Sequence, residues 1–307
     1  MADAWRRPLW LRVRSRRTIA VLERAFWAGV AADDPPAALG ALTTLVDRYG
    51  WHQPAETLLF RRARRPADPA TRAALFRGLA HGPLFREHHR AYAAVSLAYL
   101  AVEERDRALA QETAALLTQA VARLEVDPAL LRCRRRNREN RFKRLISSQA
   151  ALLHLHLLLR QPQGLVVIAQ RSHGLVARLD FDRLPADVVL RAMSNFARCL
   201  ALQGAIGHPL GLRDDLALLL EEASRPRHLR SQALEDHRWF LASMLAGLEA
   251  PQARPGAAAA AGSAPPPLPA YALVILNVER PEARDDLLSC WQAVQAGSTG
   301  GSPWPGS

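Results

Sequence analysis

Apolar side chains recur at intervals of three and four along most of the chain, and prolines divide that pattern into windows of helical length. Pro35, Pro54, Pro66, Pro83, Pro128, Pro162, Pro185, Pro209 and Pro226 supply the punctuation. Proline has no amide hydrogen to donate, so a helix accepts it in the first turn or just past the end. The spacing predicts helices over 18–32, 36–49, 68–80, 84–104, 107–126, 129–160, 164–179, 186–203, 212–223 and 228–248. Leu and Ala fill most apolar positions and β-branched residues are sparse, which favours helix over strand. Asp34 in ADDPP is placed to cap the helix that Pro35 begins, QPQG at 161–164 makes a tight connection, and LPAD at 184–187 opens a further helix. Short connections pair 84–104 with 107–126, 141–160 with 164–179, and 186–203 with 212–223 as antiparallel hairpins. The body at 18–249 is expected to be all-α, as an irregular α-solenoid of stacked hairpins or a compact helical array.

The pattern changes after Leu248. Residues 250–270 are an Ala/Gly/Pro linker, and 271–296 read as an apolar strand (Ala272 to Val278), a loop and a helix. Residues 297–307 read as a disordered tail. A short βα appendage is therefore expected to follow the helical body. A lone strand cannot satisfy its own edges, so it must dock, pair with another chain or stay loose.

Composition adds one point. The net charge is +12 and a single cation, Lys143, is Lys rather than Arg. A GC-rich coding sequence explains the choice of Arg but not its clustering. Windows 6–17, 61–65 and 132–144 carry 6, 4 and 8 basic residues and one acid, Glu139, so the remaining chain is slightly acidic. A local excess of this kind suits an anionic partner. On a helix, Arg132, Arg136 and Lys143 share one stripe, and Arg134, Arg138 and Arg141 flank the apolar stripe of Leu131, Phe142 and Ile146. With Arg144, these cations are the first candidate anion- or partner-binding set. LISSQAALLHLHLLL, which follows from Leu145, is apolar nearly all round and is expected to be buried. Glu103, Glu104 and Asp106 are the acids that would otherwise neutralise this basic helix. A second set lies in the basic arm at 1–17: Arg6, Arg7, Arg12, Arg14, Arg16 and Arg17 alternate with Trp5, Leu9, Trp10, Leu11 and Val13. That mixture suits an acidic protein, an anionic lipid surface or a nucleic acid.

SLAYLAVEERDRALA, residues 96–110, resembles a tetratricopeptide repeat, with Leu97, Ala98 and Ala110 at its small packing positions and Asp106 in its turn. The resemblance implies a helical-repeat scaffold that binds a protein partner. YALVILNVERPE, with Asn277, Glu279, Arg280 and Pro281 after the strand, resembles the opening strand and loop of a family 2 glycosyltransferase. That likeness implies a glycosyltransferase-associated protein or fragment whose catalytic domain is missing or supplied by another chain. The rest of that family's catalytic apparatus is not found in this sequence.

No motif points to an enzyme, and no cofactor or metal site is expected. Asp180-Phe181-Asp182 has the form of a metal-diphosphate motif but follows a helix rather than a strand, so it reads as a helix-ending loop. His154 and His156 are two apart in an apolar helix, and His88 and His89 are adjacent; both spacings turn the rings to different sides. Cys133, Cys199 and Cys290 are odd in number and far apart, which argues against a disulfide framework. Glu23 and Arg24 interrupt the apolar run after Arg16-Arg17, so no export signal is expected, and no segment is apolar enough to span a membrane. The expectation is a non-catalytic helical scaffold or adaptor in the cytoplasm. The alternatives are a glycosyltransferase-associated protein and a sequence-independent nucleic-acid binder.

Overall fold

The computed structural model describes the backbone of residues 9–126, 135–165, 167–168, 171, 212–225 and 281–298, with isolated positions at 238, 242 and 245. The side chains of 9–14 and 125–143 lie outside that description. The described part is 85% helical with no strands, an all-α fold as expected. The linker at 250–270, the strand at 272–278 and most of 164–211 fall outside the described residues.

The helices are α1 (Leu9–Ala31), α2 (Pro35–Tyr49), α3 (Gln53–Phe60), α4 (Pro69–His81), α5 (Glu87–Glu103), α6 (Arg107–Val126), α7 (Arg135–Leu158), α8 (Leu212–Ala223) and α9 (Pro281–Ser298). A 3₁₀ turn, Arg62–Arg64, follows α3. The chain divides into two compact units, Met1–Leu109 and Ala110–Ser307.

In the first unit α1 packs along α2, and α4 along α5. A Cβ at Gly29 would stand 2.8 Å from the Ala38 backbone nitrogen, so the absence of a side chain lets α1 and α2 approach closely. Three aspartates start helices in the same way. Asp34 accepts from the Ala37 amide at 3.0 Å, Asp68 from Thr71 at 2.6 Å and Asp106 from Leu109 at 3.0 Å. Hydrogen bonds from Thr71 hold the Asp68 carboxyl below its ordinary pKa. The helix ends are also alike. Asp33 and Arg105 adopt the left-handed conformation, with φ of 51° and 53°. The next amides, Asp34 and Asp106, reach back to the Gly29 and Ala101 carbonyls at 2.8 and 2.9 Å, which satisfies carbonyls the helix leaves open. Phe26, Leu42, Leu45, Leu58, Leu75, Leu79 and Leu97 are fully buried and form the core of this unit.

In the second unit the apolar half of α7 is buried as expected, and α9 packs against α7. Leu287 and Cys290 of α9 have no exposed surface. Burial, with Asp286 nearby, pushes the Cys290 thiol up to about 12, so it stays protonated and inert. Arg160 takes the left-handed conformation at φ 54°, and Gln161 closes the helix end on the His156 carbonyl at 2.9 Å.

Three boundaries differ from the sequence reading. α1 begins at Leu9, so the last part of the basic arm and the first window form one continuous helix. No proline stands between Pro8 and Pro35 to interrupt it. α3 was not expected; Pro54 opens it in the first turn, and its Leu58 and Leu59 are buried. Helix α9 runs to Ser298, into the segment read as a tail. Among the described residues no helix is long and apolar enough to cross a membrane.

Candidate functional site

The starts of α3 and α5 bring four ionisable side chains together. Glu56 lies in the first turn of α3, with His52 just before it, and His88 and His89 lie in the first turn of α5. One ligand atom from each of Glu56, His88 and His89 falls within 4.8 Å of the others. The His88 and His89 ring centroids are 4.0 Å apart, and those of His52 and His89 are 5.2 Å apart. Adjacent residues diverge by about 100° around a helix, which argued against His88 and His89 meeting. The ring centroids nevertheless lie close together, and ligand atoms of both rings converge with that of Glu56 at the start of α3.

The electrostatics of this cluster are uneven. His89 is fully buried, and neither ring nitrogen has a hydrogen-bond partner. Its pKa is pushed down to about 4 by burial first, then by His52 and Arg86. His52 is lowered in the same sense, by burial and then Arg86, against an opposing contribution from Glu56. The His89 imidazole is therefore neutral near pH 7. Its 3.4 Å approach to Glu56 is then a contact between a carboxylate and an uncharged ring. Arg86 reaches the same carboxylate at 3.8 Å and is half exposed.

The basic residues separate into exposed and structural ones. Arg16 and Arg17 are exposed on α1. Arg12 and Arg14 belong to α1, but their side chains lie outside the described set, as do Arg6 and Arg7 entirely. Counting round the helix, Arg16, Arg17 and Arg24 share about 100° of arc with Trp27, an arc that begins about 80° from the buried Phe26. The Arg64 guanidinium sits 5.4 Å from the centre of the Trp27 ring, a cation–π contact. The 61–65 window thus meets α1 at Trp27, one turn from Arg24 and about 15 Å along the helix from Arg17. Arg61, Arg62 and Arg64 are exposed. Arg65 instead turns inward, donating to the Leu58 carbonyl at 3.3 Å and to that of Leu59, with its guanidinium 5.6 Å from the centre of the Phe76 ring.

Arg132 and Arg134 lie outside the described residues, and so do the side chains of Arg136, Arg138, Arg141 and Lys143 on α7. Arg144 is described and is only 8% exposed. Leu145 and Ile146 are 1% exposed, so burial of α7 already reaches Arg144. Glu103 and Glu104 pair with Arg72 at 3.4 and 3.7 Å, and Asp106 caps α6.

The second unit also buries ionisable groups, but with partners. Arg160 donates to Asp286 at 2.9 Å, and Asp286 is almost fully buried. His156 and Gln161 share a hydrogen bond at 2.9 Å through the imidazole Nδ1. Burial lowers the His156 pKa, and this hydrogen bond opposes that shift.

Compared with known proteins, the chain matches no family model, no curated protein and no solved structure.

Proposed function

We propose that the protein is a non-catalytic helical-repeat scaffold whose basic α1 face binds an acidic segment of a protein partner. The observation that carries this reading is Arg64 over Trp27, because it joins the 61–65 cluster to the face of α1 that bears Arg16, Arg17 and Arg24. A flat indole with Arg64 against it, in line with Arg24, Arg17 and Arg16 along one side of α1, suits an extended carboxylate-bearing chain, since Arg forks pair with carboxylates in two-point geometry. Helix pairs such as α1–α2 and α4–α5, and the buried Leu97, Ala98 and Ala110 of the tetratricopeptide-like stretch, support the repeat-scaffold part.

The test uses the full chain and an oligoglutamate peptide as probe, with mixed-sequence RNA and anionic vesicles as competitors. The peptide is expected to bind, more weakly as salt rises. Replacing Arg16, Arg17 and Arg24 together by Gln is expected to weaken binding about tenfold, from roughly 0.5 kcal/mol per exposed charge. The melting temperature should hardly move, because all three side chains are exposed. Preference for RNA or vesicles over the peptide would overturn the assignment, and so would unchanged binding in the triple variant.

A further inference from the structure

Among the described residues, the α3–α5 cluster is the place where buried polar atoms lack partners and metal-binding side chains converge. We propose that Glu56, His88 and His89 form a binding site for a divalent borderline metal ion, of which Zn2+ is the best fit. This goes beyond the scaffold reading and rests on separate residues.

Two imidazoles and a carboxylate are a donor set that Zn2+ accepts readily. The three donor atoms lie within 4.8 Å of one another. Tetrahedral zinc with bonds near 2.1 Å needs separations of about 3.4 Å, which Glu56 and His89 already have, so the widest pair must close by at most about 1.4 Å. That movement is available. His89 is fixed in the core, His88 is half-buried, and the Glu56 side chain is 37% exposed, so two adjustable donors close on one fixed donor.

The buried His89 supplies the independent observation. A buried imidazole with neither nitrogen hydrogen-bonded has lost its water without compensation. A metal ion bound to one nitrogen would satisfy one of the two and halve that deficit. Three protein ligands leave a fourth position for water or for His52, whose ring lies 5.2 Å from that of His89. Arg86, 3.8 Å from the Glu56 carboxylate, opposes a cation there, but its exposed side chain can turn to solvent. Bound in this way, the ion would tie the start of α3 to the start of α5.

The experiment is a calorimetric titration of the full chain with Zn2+ near pH 7.5, accompanied by the visible spectrum of the Co2+ complex. The expected result is one ion bound at micromolar affinity or tighter, with a Co2+ spectrum lacking the thiolate charge-transfer band. His88→Ala and Glu56→Gln should each weaken binding at least about tenfold, and Arg86→Gln should tighten it a few-fold by removing a like charge. No binding at micromolar Zn2+, a thiolate band, or unchanged affinity in both ligand variants would overturn the proposal.

Discussion

Between α7 and α9, Arg160 holds the almost fully buried carboxylate of Asp286 at 2.9 Å, and nearby His156 shares a hydrogen bond with Gln161. Between α3 and α5, His89 is buried as deeply, yet neither of its nitrogens has a hydrogen-bond partner. The contrast separates two uses of buried polar groups. A buried ionisable group with a partner helps to fix one packing of the helices around it. One without a partner weakens the packing, and that loss is a reason to look for a ligand.

The largest expected difference between the regions is in acid. The unfolded chain's His89 titrates near the ordinary 6.5, whereas in the fold it is pushed down to about 4. The unfolded state therefore binds the proton more readily. Stability from this group is fully present above about pH 6.5 and is lost as pH falls toward 4. The metal-free protein should lose on the order of 3 kcal/mol over that interval from this residue. Urea unfolding of wild type and His89→Leu across pH 7 to 4 measures it as the difference in slope. His156 shifts in the same direction, so a shallower slope should persist in the variant.

A smaller effect is expected from Gly164→Ala in the second unit. A Cβ at position 164 would collide with the His156 ring, and that ring must then leave its place beside Gln161. Crowding of this kind lowers stability by about 1–2 kcal/mol, read as a fall in the urea midpoint. An unchanged midpoint would mean that the His156–Gln161 bond contributes little to the packing there.

The two regions were not equally legible in the sequence. Proline punctuation and apolar spacing placed α2, α4, α5, α6 and α8 to within a few residues, because each is bounded by a proline, an aspartate cap or both. α3, only eight residues long, was not expected, although Pro54 followed by Leu58 and Leu59 was its signal. Burial of α7 was readable from the apolar run that starts at Leu145, but not its extension to Arg144. The His–Glu cluster was hidden for a geometric reason. Helical spacing describes side chains on one helix, whereas Glu56 comes from another, and the His88 and His89 rings stand 4.0 Å apart despite the angular separation of their backbone positions. Likewise, that Arg64 lies over Trp27 depends on how the 3₁₀ turn meets α1, which spacing along the chain does not encode.

The most direct measurement compares the unfolding free energies of His89→Leu and Arg160→Met at pH 7.5 in the absence of metal. Removing the buried imidazole deletes two nitrogens that lack hydrogen bonds, so His89→Leu should be as stable as wild type or more so. Removing the Arg160 guanidinium deprives the buried Asp286 of its cation, and Arg160→Met should lose about 2 kcal/mol. An equal loss in both variants would contradict the account, because His89 would then be a structural residue with contacts of its own rather than a ligand held in reserve.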